Sequence, residues 1–439
     1  MKHITLILIL SAITASCRHN MTDTDHVPMI SVGIMTADSV NIIERDSIGT
    51  PLKTYSFTAA QIDSSLTIKP HTRSSVLEVD DVTIGVGFHW QQQEPQQFEG
   101  SLRLVKDRGR LLVINDIDIE RYLESVISSE MSANASQALL ETHAIISRSW
   151  LLSQLARSHS RETRNETTDE ITVWYDRDDH SHFDVCADDH CQRYQGVTRR
   201  TTPAVAKAVQ ATRGQVLIYE GDVCDARFSK CCGGMTELFE NCWEPEHHDY
   251  LTARYDAPDG LTAPDLTDSV IAGQWIETRP DAFCADPPRE VLASVLNSYD
   301  RATTDYYRWT VTCRADSLGH LVAAKTGRNL GYIKNLRPLA RGTSGRIYRL
   351  SIDGSDDTLT IGKELEIRRA LSPSHLYSSA FTVRINGEGP EAVIELNGAG
   401  WGHGVGLCQI GAAVMGAQGY TPDEILHHYF PHSTISRLY

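Results

Sequence analysis

The stretch from Gly398 to Ala412 constrains this chain more than any other. Six of its fifteen residues are glycine: Gly398, Gly400, Gly402, Gly404, Gly406 and Gly411. Alternating glycines let a backbone take angles barred to other residues and approach a ligand or a second backbone closely. His403 sits in the middle of that crowded turn, and Ala412, Ala413, Val414, Met415 and Ala417 follow as a small-residue helix. Alone, the glycines fit a tight strand-to-helix packing turn as well as a ligand loop. Thr421-Pro422-Asp423-Glu424 reads as a capping box with proline at the first helical position. The helix it starts carries Ile425, Leu426 and Tyr429 and stops at Pro431.

The 439-residue chain reads as a globular protein of two or three domains or one elaborated domain. Its net charge of −16 and lack of a basic cluster argue against nucleic acid or an anionic membrane as the main partner. Lys2, the apolar run Ile4–Leu10 and the small residues Thr14-Ala15-Ser16 read as a leader, too short to span a bilayer. Cys17 directly behind them predicts a lipidated cysteine at 1–17 and a polar tether over 18–29, with plain secretion as the alternative. Ile30–Ile34, Val82–Val86 and Leu111–Ile114 predict strands, and Gln91–Pro95 a loop, so that 30–114 is a β-rich part.

Asp118 is placed to cap a helix bearing Tyr122, Leu123, Val126 and Ile127 at helical spacing. A second helix runs from Ser136 through Leu139, Ile145 and Trp150 to Leu155. Glu130 then lies at the C-terminal end of the first helix, where the helix dipole disfavours a carboxylate. Beside apolar Met131 its pKa is expected to rise, as a general acid near neutral pH requires. The plain alternative is a solvated helix-end glutamate.

His180, His182, Cys186, His190 and Cys191 fall within twelve residues. Thiolates with imidazole suit Zn²⁺; a disulfide between Cys186 and Cys191 is the alternative. Ten cysteines less Cys17 leave nine, so at least one is unpaired or a ligand. Cys224 with Cys242 is a candidate disulfide. Adjacent Cys231 and Cys232 after a strand read as structural.

Several of these segments share one resemblance. Gly398–Thr434 resembles the GxGxGHGVGxxQxGA loop and following helices of the SpoIID (stage II sporulation protein D) and LytB amidase-enhancer family. Ile119–Met131 and Ala138–Trp150 resemble that family's "pLExYLxGVVxxEM" and "EALKAQAVAARTY" segments, and Asp225–Thr236 its "AxFxSxCGGxT" turn. This chain departs from the pattern at Ala138, His143 and Lys230.

The resemblance implies an α+β fold with a SpoIID-like core at 115–250, a supporting subdomain at 251–395 and the glycine loop and helices at 396–439. A β-rich scaffold with several helices would then frame a cleft between the Glu130 helix end, the cysteine-histidine loop and the His403 loop. The implied activity is a peptidoglycan lytic transglycosylase with Glu130 as catalytic acid, working on strands cleared by a cell-wall amidase. A non-catalytic amidase enhancer or glycan binder is the other implied role. Zinc would be held by His180, Cys186 and Cys191, with His182 competing for the histidine position. Substrate contacts would fall to His190, His403, Gly404, Gln409 and Arg148.

Overall fold

The computed structural model describes residues 27–87, 91–157, 164–174, 180–297, 300 and 305–439. The expected leader with Cys17 lies outside them. Among the described residues eight strands precede the first α-helix, strands and helices are interspersed after α2, and several sheets with the helices make the fold α+β.

Those strands build two sheets. One orders Val185–Cys186, Met29–Ala37, Arg110–Asp118, Ser101–Asp107 and Ser65–Ile68. The other orders Pro51–Thr58, Ser39–Arg45, Val76–Ile84 and Gln92–Phe98. The last of these corrects the loop expected at Gln91–Pro95. It is an edge strand whose pairing jumps between Val79 and Val82, so Pro95 meets a register irregularity where its missing N–H costs no ladder bond.

Helix α1 (Ile119–Glu130) starts where the Asp118 side chain accepts the Arg121 N–H at 3.0 Å, as its sequence predicts. Helix α2 (Gln137–Ala156) follows behind a Ser136 cap and packs on α1, on α3 (Ala204–Ala211) and on the strand Gln215–Tyr219. These elements share one apolar core that runs from Ile30 to Tyr439.

A second core spans Ile171 to Leu396. It lies among α6 (Ala315–Thr326), α7 (Glu364–Ala370) and two further sheets, whereas α4 (Ser269–Thr278) contributes to two smaller clusters and α5 (Arg289–Val295) to the first core. One sheet pairs Arg308–Arg314, Val393–Ala399 and Phe381–Asn386, and its central strand feeds the glycine loop.

That loop emerges with positive φ at Gly400, Gly402, Gly404 and Gly406. It pairs Leu407–Cys408 in parallel with Phe228–Ser229, then enters α8 (Gln409–Ala417). The Thr421/Glu424 capping box starts α9 (Pro422–Tyr429) as predicted. The chain closes as Thr434–Arg437 pairs with Gln215–Tyr219. Among the described residues no helix is long and apolar enough to cross a membrane.

Candidate functional site

Glu130 is the last residue of α1 and is 9% exposed. It opens onto a cleft of about 420 Å³ bordered by Trp150, His190, Phe228, Trp243, Trp401 and His403. Its Oε1 accepts the backbone N–H of Arg193 at 3.0 Å. Among the described residues it joins no ion pair. Burial pushes its carboxyl above the ordinary glutamate range; Arg193 and Lys230 pull the other way and Asp189 adds to the rise. The expected direction holds, with burial as its leading cause.

Three other carboxylates line the cleft: Asp188 accepts the Val86 and Asp189 N–H groups at 3.1 and 3.0 Å, whereas Asp300 and Asp189 are ion-paired. Asp300 lies 3.2 Å from Arg193 Nη1 and 3.0 Å from Lys230 Nζ. Burial would raise its carboxyl, but those two cations outweigh that and hold it below its ordinary value. Asp189 accepts from Arg193 Nε at 2.6 Å. Lys230, which departs from the serine of the resembled pattern, donates to the Glu130 carbonyl at 3.2 Å. The lysine thus ties the helix end to Asp300 where a hydroxyl was expected.

The cysteine-histidine loop is pinned to the first sheet. Asp184 accepts from the Ser31 N–H and hydroxyl at 2.8 Å each, and Val185–Cys186 pairs beside Val32–Gly33. His180, Cys186, His190 and Cys191 then converge, with one donor atom from each lying within 4.8 Å of the others. His180 Nε2 is 3.4 Å from Cys191 Sγ, and His190 Nδ1 is 3.5 Å from Cys191 Sγ and 4.0 Å from Cys186 Sγ. Cys191 foremost, with the two histidines, lowers the Cys186 thiol to about 2 against its burial.

Four donors of this type at this spacing fit a tetrahedral divalent ion. The structure thereby separates the two expected histidines: His180 joins the cluster, while His182 faces Asp107 at 3.7 Å. His190, expected at the substrate, is both a member of the cluster and a cleft residue. Cys186 and Cys191 are not joined in a disulfide.

The opposite wall comes from the glycine loop. His403 Nδ1 accepts the Val405 N–H at 3.0 Å, and its ring stands edge-on to Trp243. Burial and then Arg227 and Arg346 hold the imidazole well below its ordinary pKa, so it is neutral. Gln409 donates to His143 Nε2 at 3.0 Å, and His143 Nδ1 faces Ser147 at 3.1 Å. His143 is lowered to about 3 by burial, then by Lys230. The unexpected histidine of α2 is thus the partner that fixes Gln409 in the cleft wall.

Two expected substrate contacts are corrected. Arg148 is fully buried, forks onto Glu120 at 3.0 and 2.8 Å and donates to the Gln215 carbonyl, joining α1, α2 and a strand. Gly404 faces inward: a side chain there would meet Arg346 at 2.4 Å, and its φ is +79°. The candidate Cys224–Cys242 disulfide is absent, both being free buried thiols.

Arg346 is the main contributor the sequence did not reveal. From a remote turn it donates to the carbonyls of Gly402 at 3.0 Å, Cys232 at 3.0 Å and Cys231 at 3.4 Å. Asp300 and Arg193 were likewise without a sequence signal, since their roles arise from partners far along the chain.

Residues 107–219 match the family model described as Stage II sporulation protein, SpoIID. The chain carries a SpoIID domain. It is 22% identical over 325 residues to Stage II sporulation protein D of Bacillus amyloliquefaciens, covering 74% of this chain and 75% of that one. An uncharacterised protein of Brachyspira hyodysenteriae is 25% identical over 335 residues, 76% of this chain and 71% of its own. The amidase enhancer of Bacillus subtilis is 23% identical over 237 residues, which is 52% of this chain but 32% of that protein.

The SpoIID domain supplies α1, Glu130, α2 and the cysteine-histidine loop. Asp300, Trp401 and His403 fall in residues 237–406, which match a domain of unknown function, DUF8618. The cleft is therefore bounded by both matched spans.

Proposed function

We propose that this chain is a lytic transglycosylase that cleaves peptidoglycan glycan strands between N-acetylmuramic acid and N-acetylglucosamine. The carrying observation is that Glu130 is a buried carboxyl at the end of α1 that opens on the cleft with no cationic side chain bound to it, whereas Asp189 and Asp300 are ion-paired and Asp188 is taken up by the backbone N–H groups of Val86 and Asp189. A glycosidase that uses water or an enzyme nucleophile needs two working carboxylates. One suffices when the substrate brings its own nucleophile.

Glu130 donates its proton to the glycosidic oxygen as the bond to the muramoyl anomeric carbon breaks. The resulting carboxylate takes the proton of the muramoyl 6-hydroxyl as that oxygen bonds the same carbon. The product has a 1,6-anhydro end, no water is consumed, and Glu130 is protonated again. The Arg193 N–H holds Oε1 and orients the carboxyl. Trp150, Trp243 and Trp401 offer apolar faces to sugar rings.

Zn²⁺ at His180, Cys186, His190 and Cys191 would supply a fixed centre that rigidifies the loop. Arg193 follows two residues after Cys191, so that loop sets where the N–H meets Glu130. The natural setting we propose is an exported protein, anchored to a bacterial membrane by a lipid on Cys17, working on strands from which an amidase has removed the stem peptides.

Similarity to an amidase enhancer supports a second reading, a non-catalytic glycan binder. The deciding experiment incubates the chain from Asn20 onward with denuded glycan strands beside Glu130→Gln, with mass spectrometry of the products. Anhydro-ended fragments from the wild type alone are expected. Strand binding or a faster amidase without fragments would establish the enhancer instead, and reducing ends formed by hydrolysis would refute the 6-hydroxyl step.

A further inference from the structure

A second group of soft ligands lies away from the cysteine-histidine loop. Cys232, Asp256, Cys284 and Cys408 are all buried, and one donor atom from each lies within 4.8 Å of the others. They come from four segments: the turn after Phe228–Ser229, the loop leading to α4, the segment before α5, and the residue that caps α8. We propose that these four residues bind a structural divalent zinc ion, independent of the one assigned to the cleft loop.

The spacing fits. Cys232 Sγ and Cys284 Sγ are 3.6 Å apart, and a tetrahedral zinc with bonds of about 2.3 Å sets its sulfurs about 3.8 Å apart. Both remain free thiols, as does Cys408.

The surrounding donors are those a thiolate centre needs. The Cys232 and Gly411 N–H groups point at Cys408 Sγ at 3.2 and 3.4 Å, and the Gly234 N–H points at Cys232 Sγ at 3.4 Å. Cys408 is the N-cap of α8, where the helix dipole favours a negative sulfur. Gly411 is required one turn into that helix, because a side chain there would meet Asp256 Oδ2 at 2.6 Å and Tyr429 at 2.4 Å.

Asp256 supplies the second, independent argument. It is fully buried, yet its partners are the Tyr429 hydroxyl at 2.6 Å, the Cys284 N–H at 3.2 Å and the Cys232 thiol at 3.3 Å. The nearest cationic type is His428, 3.8 Å away, and among the described residues no lysine or arginine pairs with it. A carboxylate in that setting calls for a cation, and a metal ion in the cluster provides one. A cavity of about 540 Å³ lined by Leu296, Tyr306 and Ile410 reaches Cys284 and gives an ion its way in.

The consequence for the molecule is a clamp. The metal would tie the Cys231–Cys232 turn, and with it Lys230, to the end of the glycine loop, where Gln409 follows Cys408. Cys231, next to Cys232 in the chain, lies outside the group of four mutually close donors, so it serves as the internal control.

The test is metal analysis of the full chain, purified under non-chelating conditions. Cys284→Ser and Asp256→Asn are expected to lose one equivalent of zinc, Cys191→Ser to lose the other, and Cys231→Ser to lose none. If Cys284→Ser fails to fold, cobalt loading of the wild type decides: thiolate-to-cobalt absorption must reflect five thiolates, three here and two in the cleft loop. Zinc that only Cys191→Ser removes, iron in place of zinc, or alkylation mass spectrometry showing Cys232 joined to Cys284, each overturns the proposal.

Discussion

Glu130 couples burial to acid–base behaviour, and two outcomes follow at the scale of that one residue. Replacing it by glutamine keeps its shape and its contact with the Arg193 N–H but removes the transferable proton. Cleavage of denuded strands should fall by ~10²–10⁴-fold, the usual worth of a general acid, with strand binding retained. Because the folded-state pKa is raised, the protonated form is the one that folding favours. The stability from this group is present below the unfolded glutamate pKa and is lost as pH rises through the folded value. Activity that needs the acid form should decline across the same rise, which a pH–rate profile reads. Arg193, Asp189 and Lys230 act on this carboxyl, and Asp300 is paired with both cations, so all four belong in that profile's interpretation. Glu130→Gln should therefore gain stability over wild type at neutral pH, with the gain vanishing near pH ~4; urea midpoints at the two pH values check it. Arg148 behaves in the opposite way, since Arg148→Ala strands Glu120 in the core. A loss of about 3–5 kcal/mol is expected for breaking one side of a buried pair, seen as a large drop in urea midpoint.

Among the elements, those whose determinants are local could be read directly. The Asp118 cap and apolar spacing gave α1, the Thr421/Glu424 box gave α9, and alternating glycines gave the loop before α8. The strand Gln92–Phe98 was illegible because its polar side chains belong to an edge strand, and only its partner Val76–Ile84 makes it extended. Arg148 was misplaced for a related reason: a motif gives a residue's position on a helix but not whether Glu120, in another helix, claims it first. Of the cleft, Glu130, the cysteine-histidine loop and His403 were legible as local oddities. Asp300 and Arg346 were not, since nothing near them in sequence marks a partner 70 or more residues away at Lys230 or Cys232. Arg346 reaches Gly402 only because Gly404 carries no side chain. Gly404→Ala should force both a left-handed alanine and a collision with the guanidinium, for a loss of about 1–3 kcal/mol, measurable by denaturation. The same variant should weaken glycan binding, because His403 and Trp401 ride on that loop.

For the whole molecule, the cleft has walls from two matched spans, residues 107–219 and 237–406, and what holds them together is partly the C-terminal tail. After α9 the chain returns to the SpoIID domain, where Thr434–Arg437 adds a strand to Gln215–Tyr219. The Leu438 N–H then bonds the Gly214 carbonyl at 2.9 Å, and the Tyr439 hydroxyl reaches Glu120 beside Arg148. Tyr439 is 8% exposed, so the last residue of the sequence is part of the main core. A chain ending at Ser433 would lose that strand and an aromatic side chain whose removal from a core costs about 3–5 kcal/mol. It would also leave Glu120 with one partner fewer. The truncated chain should thus unfold at clearly lower urea and cleave glycan poorly, although every cleft residue is still present. Should it instead keep full stability while losing activity, the tail would act on the cleft directly; should it keep both, the closure of the two walls would rest on the glycine loop and Arg346 alone.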